Sequence, residues 1–171
     1  MSRIVISGYY GSKNAGDEAM LAAMLEVLGD LDPELHITVI SAAPQDTAQR
    51  HGVKAISWLD MPAIYSALKR ADLLISGGGS LLQDKTSTRS LLYYLSILNI
   101  ARLCGVPSVL YAAGVGPIRS PRNRKRVARV LRKVDLITLR EKESLAYVEQ
   151  LCPGKQTLLT ADPVFHMEAS P

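Results

Sequence analysis

Two stretches of small and polar residues carry types and spacings that chemistry could use. The first is Gly8-Tyr9-Tyr10-Gly11-Ser12-Lys13-Asn14-Ala15-Gly16-Asp17-Glu18. Gly11 to Gly16 matches the G-x-x-x-x-G half of a phosphate-binding P-loop, but Asp17-Glu18 stand where Lys and Ser/Thr must follow. Two carboxylates there would repel a triphosphate. The glycine spacing does not fit the dinucleotide fingerprint G-x-G-x-x-G either. Asp17 is a good N-cap for a following helix, and acids suit a helix's positive end, which is the preferred reading of Glu18. Asn14 and Gly16 are harder to assign to a plain connection, because eleven residues are long for a strand-to-helix turn. The second stretch is Gly77-Gly78-Gly79-Ser80-Leu81-Leu82-Gln83-Asp84. A tight turn needs one glycine; three in a row let backbone amides come close to an anion, so ligand contact is favoured.

Two more segments are of the same kind. Ala113-Gly114-Val115-Gly116-Pro117 is another backbone-exposing turn, weak by itself. In Leu139-Arg140-Glu141-Lys142-Glu143-Ser144, Arg140 directly follows an apolar run. A guanidinium there suits bidentate capture of carboxylate or phosphate, and its position outweighs an ordinary surface salt bridge with Glu141 or Glu143. No metal centre is expected. Cys104 and Cys152 lie far apart without a His or Cys at ligand spacing, and His36, His51 and His166 are scattered. Two buried thiols in a reducing compartment is the simpler reading.

The elements that must position these turns are legible as alternating patterns. Continuous apolar runs predict strands over 3–7, 36–41, 53–56, 72–76, 108–112, 135–139 and 157–160. Between them, 3.6-residue spacing predicts helices from Asp17 to Leu31 and over 45–51, 62–70, 88–103, 121–133 and 141–151. Strands without in–out alternation, separated by helices, indicate a mostly parallel sheet covered on both faces: a doubly wound, Rossmann-like α/β domain. Right-handed crossovers then bring every strand-to-helix turn to one edge, where such folds bind ligands.

The 171 residues, 47% apolar and 21% charged, suffice for one domain and exclude disorder. Aromatic residues make up only 5%, which argues against a single-stranded nucleic-acid module. The N-terminus lacks the long apolar stretch of a signal peptide, so the cytoplasm is the expected setting. The net charge of +4 is uneven: Arg119 to Lys133 holds eight basic residues and no acid, leaving twelve basic against sixteen acidic residues elsewhere. Val127, Val130, Leu131 and Val134 form an apolar stripe in that segment, with the basic residues mostly opposite. A solvated outer face is the ordinary reading. Among partners an anionic membrane surface fits better than nucleic acid, for which no reading motif is present.

Taken together, Gly11-Ser12-Lys13-Asn14-Ala15-Gly16-Asp17-Glu18, the Gly77–Asp84 segment, Gly114-Val115-Gly116-Pro117, Arg140-Glu141-x-x-Ser144 and Ala161-Asp162-Pro163 resemble the polysaccharide pyruvyl transferase family, in particular its CsaB-type branch. The resemblance implies one Rossmann-like half, residues 1–171, of a GT-B-like pair. The second, C-terminal domain would begin near Asp162-Pro163-Val164-Phe165-His166 and would carry the catalytic His and Lys, so the isolated half is expected to have little turnover. It further implies transfer of an enolpyruvyl unit from phosphoenolpyruvate, a co-substrate rather than a cofactor, onto a lipid-linked oligosaccharide containing N-acetylmannosamine at the inner face of the membrane. Arg140 matches the donor-binding arginine; Asn14, Gly16, Asp17, Gly77, Gly78, Gly79, Ser80, Gln83, Asp84, Gly114 and Gly116 match cleft positions. A sugar-nucleotide glycosyltransferase domain and a non-enzymatic anion-binding α/β module are the alternatives.

Overall fold

The computed structural model describes residues 2–161. Strands β1 (Arg3–Ser7), β2 (His36–Ser41), β3 (Lys54–Ser57), β4 (Leu73–Gly77), β5 (Ser108–Ala113), β6 (Leu136–Leu139) and β7 (Leu158–Leu159) form one sheet, ordered β3-β2-β1-β4-β5-β6-β7. Every neighbouring pair is parallel, as continuous apolar runs such as Ile4-Val5-Ile6 require. The helices α1 (Ala15–Leu31), α2 (Pro44–His51), α3 (Met61–Lys69), α4 (Thr88–Leu103), α5 (Pro121–Leu131) and α6 (Lys142–Leu151) are the crossovers. Predicted and observed elements agree to within one or two residues at each end, the last strand being Leu158–Leu159.

Each face of the sheet has its own core. On one, Ile4, Ile6 and Ile75 pack against Leu21 and Met24 of α1. On the other, Leu74, Leu110 and Ile137 meet Ile64, Leu68, Leu91, Leu98, Val127, Leu131 and Val148 from α3, α4, α5 and α6. Fully excluded side chains such as Leu74, Leu110 and Leu131, each 0% exposed, stabilise the fold by about 1.5–3 kcal/mol apiece. No described helix is long and apolar enough to cross a membrane.

The chain turns outward from β1 and runs back from β4, so the sheet order reverses between these two strands. Helices on either side leave a crevice there, at the carboxyl ends of the strands. The first turn differs from expectation. The N-cap of α1 is Asn14, not Asp17: Asn14 Oδ1 accepts from the amides of Gly16 (3.0 Å) and Asp17 (3.3 Å). Capping from Asn14 starts the helix early, leaves only Gly8 to Asn14 as connection, and carries Asp17 into the first turn. Glu18, as expected, lies in the acidic first turn at the helix's positive end, and its carboxylate also holds the loop. Its Oε1 accepts from the Gly11 amide at 2.7 Å and its Oε2 lies 3.5 Å from His51 Nε2, so it pins the loop against α2.

Both cysteines are free and end helices as expected; Cys152 is buried, its thiol donating to the Ala128 carbonyl at 3.5 Å, whereas Cys104 is only half-buried. All eight basic side chains of Arg119–Lys133 are exposed, while Val127, Val130, Leu131 and Val134 are buried. The segment from Asp162 to His166, expected to lead into a second domain, lies outside the described residues.

Candidate active-site cleft

The rim of the crevice is built around Tyr10. Its ring is buried beneath the glycine turn, and its hydroxyl donates to the Gly77 carbonyl at 2.8 Å, tying the end of β4 to the loop after β1. Burial, and then the nearby Asp17, Tyr94 and Glu18, push this phenol far above the usual tyrosine range, so it stays a neutral donor. Gly77 and Gly78 are likewise buried and back the turn; Gly79 and Ser80 emerge at its surface. Gly78 and Gly79 have φ +86° and +72°, a succession that L side chains resist. Among the described residues the Gly79 and Ser80 amides donate to no protein acceptor, so both keep a free donor of the kind an anion-binding turn uses.

The third turn supports the second from behind. Gly114 donates to the Gly79 carbonyl (3.3 Å) and Gly116 to the Leu82 carbonyl (2.8 Å), so the two loops continue the sheet as a short bridge between Leu82 and Val115. A Cβ on Gly114 would fall 2.4 Å from Ser80 Oγ. Just before this turn β5 bulges: Ala112 has φ +44° and its amide donates to Thr138 Oγ1 at 2.7 Å, where the β5–β6 register shifts. Gly114 and Gly116 therefore shape the cleft without facing it, which differs from expectation.

Asp84 also departs from the expected cleft role. Its two oxygens accept from the amides of Arg119 (2.7 Å) and Ser120 (3.1 Å) and from Asn123 Nδ2 (2.9 Å). Partial burial would raise its pKa, but these three donors and the Arg119 charge hold it below the ordinary carboxylate value. Asp84 is thus a brace for the start of α5. Its neighbour Gln83 remains at the cleft, folded onto the Thr86 hydroxyl and the Lys85 amide.

Asp17 and Arg140 arrive from opposite sides of the switch point. Asp17, 7% exposed, projects from the first turn of α1 against the Gly79 turn. Burial raises its pKa; the Arg140 guanidinium opposes that rise and Glu18 adds to it. Arg140 leaves the end of β6, reaches back to Met20 Sδ (3.4 Å from Nη1) and pairs through Nε with Glu141 Oε1 at 3.3 Å. The salt bridge weighed as its ordinary alternative therefore exists, yet the side chain still lines the cleft.

These groups border one cavity of about 1200 Å³. Of the expected residues, Asn14, Gly16, Asp17, Gly79, Ser80, Gln83 and Arg140 line it; Gly77, Gly78, Asp84, Gly114 and Gly116 do not. The aromatic part of the lining went unread in the sequence. Tyr9, Tyr10, Trp58, Tyr93 and Tyr94 all border the cavity, five of only nine aromatic residues in the chain. Trp58 and Tyr93 meet edge to face (5.7 Å, 79°), as do Tyr93 and Tyr94 (5.3 Å, 80°), and the Tyr93 hydroxyl donates to the Trp58 carbonyl at 2.9 Å. Burial pushes Tyr93 up to about 12. The adjacent pairs Tyr9-Tyr10 and Tyr93-Tyr94 were the available signal. Arg89, in the acid-free first turn of α4, also faces the cavity, adding a second guanidinium beside a helix N-terminus. Among the described residues no cluster of three His, Cys, Asp or Glu side chains could hold a metal ion.

A doubly wound parallel sheet with such a cleft at its switch point is a Rossmann-like domain of the kind that makes up one half of GT-B glycosyltransferases. The chain belongs to the polysaccharide pyruvyl transferase family, whose sequence profile matches residues 14–171. No curated protein matches it in sequence. Among solved structures it is similar to Anabaena HepE, crystallised with UDP and glucose, at 13% identity and a TM-score of 0.56 over 95% of this chain and 44% of that one. An alpha-glucosyltransferase in complex with UDP gives 12%, 0.56, 100% and 42% in the same order. For the protein SMU.573 of Streptococcus mutans the values are 11%, 0.52, 94% and 59%. At these identities the likeness concerns the fold, and the chain spans less than two thirds of each of these structures.

Proposed function

We propose that this chain forms one wall of the active-site cleft of a pyruvyl transferase that moves an enolpyruvyl unit from phosphoenolpyruvate onto a sugar of a cell-wall polysaccharide precursor. The observation that carries this reading is the convergence of Asp17, Gly79 and Arg140 on one cavity in a chain of this family. Ketal formation adds a sugar oxygen to the donor's C2, protonates its methylene carbon, expels phosphate, and closes through a second hydroxyl. A site for it must hold a small, highly charged donor next to a neutral polyol. Arg140, Arg89 and the Gly79 and Ser80 amides offer the anion-binding half. Asn14, Asp17, Gln83 and the aromatic wall offer hydrogen bonds and rigid apolar surface for the sugar, an N-acetylmannosamine-containing lipid-linked oligosaccharide in the CsaB-type reading.

Proton donation to the methylene carbon falls to the His and Lys that the family resemblance places in a companion domain, so this half alone binds but turns over slowly. The second reading, transfer from a nucleotide sugar, is favoured by the UDP present in two of the structural neighbours. Trp58 is the single tryptophan and lines the cavity, so its fluorescence reports occupancy. Phosphoenolpyruvate should change that signal and UDP should not. Joined to its companion domain, the chain should release phosphate from phosphoenolpyruvate in the presence of a lipid-linked disaccharide; turnover of a nucleotide sugar instead would refute the reading.

A further inference from the structure

From Lys85 to Val134 the chain contains no acidic residue but eleven basic ones, leaving nine basic against sixteen acidic residues elsewhere. The fold turns this run into a surface. Right-handed crossovers place α4 and α5 side by side on the same face of the sheet, and both bury their apolar stripes in the same core. On α5, Asn123, Val127, Ala128, Val130 and Leu131 point inward, so Arg122, Arg124, Lys125, Arg126 and Arg129 must point out; Arg132 and Lys133 extend the row, and Arg102 of α4 borders Lys133. Among the described residues none of these side chains pairs with a carboxylate. Arg124 and Arg126 bond only to the neutral Ile118 carbonyl and Asn123 side chain. An ordinary solvated helix face intersperses both signs; this one does not.

We propose that the α4–α5 face docks the protein on an anionic lipid surface. One cationic face on an otherwise net-acidic body matches a charged plane; a nucleic acid's phosphates would meet repulsion wherever they wrapped beyond it. Exposed Leu103, 76% accessible at the end of α4, adds apolar surface beside the basic row. Docking also orients the cleft. Asp84 ties the start of α5 to the loop whose preceding residue, Gln83, lines the cavity, so the cationic face begins at the cavity's rim. The proposal stands on charge placement and holds whichever donor the cleft accepts.

The test is co-sedimentation of the chain with phosphatidylcholine vesicles and with the same vesicles containing phosphatidylglycerol, at low and high salt. Binding is expected only to the anionic vesicles and should weaken as salt rises. Each basic residue near such a surface contributes about fivefold, so Arg122→Gln, Lys125→Gln, Arg129→Gln and Arg132→Gln together should lower binding by at least ~100-fold. These side chains are exposed, and an unchanged circular dichroism spectrum would show that folding is intact. Arg50→Gln with Lys54→Gln, on another part of the surface, should leave binding as it is. Equal binding to neutral vesicles, no binding to anionic ones, an unaffected quadruple variant, or displacement by duplex DNA at matched phosphate concentration would each overturn the proposal.

Discussion

Asp17 Oδ1 occupies the space that a side chain on residue 79 would need: an ideal Cβ built on Gly79 falls 2.6 Å from it. The carboxyl and the backbone of the glycine turn are in direct apposition because nothing projects between them. Gly79→Ala should therefore act twice. Its φ of +72° costs an L residue about 1–2 kcal/mol, and the clash displaces Asp17 from the cleft wall. A drop in melting temperature together with a weaker Trp58 response to phosphoenolpyruvate is the expected outcome; an unchanged response would separate the turn from ligand binding.

Arg140 is the cleft's guanidinium at the end of β6. Removing one charge-assisted contact costs about 1.5–3 kcal/mol, so Arg140→Ala should weaken phosphoenolpyruvate binding by roughly 10- to 150-fold. Arg140→Lys should recover only part of it, since an ammonium keeps the charge and loses the fork. Equal affinities in a fluorescence titration of the three proteins would remove Arg140 from the donor site.

For Asp17 the direction of the pKa shift decides the sign of its effect. A carboxyl whose folded-state pKa lies above its unfolded value of 3.8 binds its proton more tightly when folded, so ionisation at neutral pH opposes folding. Asp17→Asn should stabilise the protein at pH 7, with the gain shrinking as pH falls toward 3.8 and below. The same change removes a negative charge beside Arg140, so anion affinity should rise while affinity for the sugar acceptor falls. Denaturant melts across pH, paired with the two titrations, check both halves.

Asp84 carries the opposite sign. Its folded-state pKa is lowered, so its stabilisation is present above the unfolded value and is lost as pH falls through the folded one. Asp84→Ala leaves the Arg119 and Ser120 amides and Asn123 Nδ2 without their acceptor and should cost about 1–2 kcal/mol at pH 7. Urea denaturation should show that deficit narrowing in acid. Loss of phosphoenolpyruvate binding without loss of stability would instead return Asp84 to the cleft.

Much of this protein follows from local chemistry. Runs such as Ile4-Val5-Ile6 and Leu73-Leu74-Ile75 make buried strands because every side chain needs a dry neighbour on one face or the other, and the alternation with helices leaves a parallel sheet as the outcome. From there, the meeting of the Asn14, Gly79 and Arg140 turns is a consequence of connection handedness. What the order of residues left open was which polar groups face the cavity and which hold its walls. Asn14 and Asp17 are equally good caps by type; only the path of the chain out of β1 gave the cap to Asn14 and buried Asp17. Asp84 and Gln83 are neighbours with opposite duties, because α5 begins beside one and not the other. The aromatic wall joins Tyr9, Trp58 and Tyr93 from three separate connections, a proximity created by the switch in strand order. Strand and helix arise from neighbours within a few residues; a cleft is made of residues distant in the chain, and only packing brings those together.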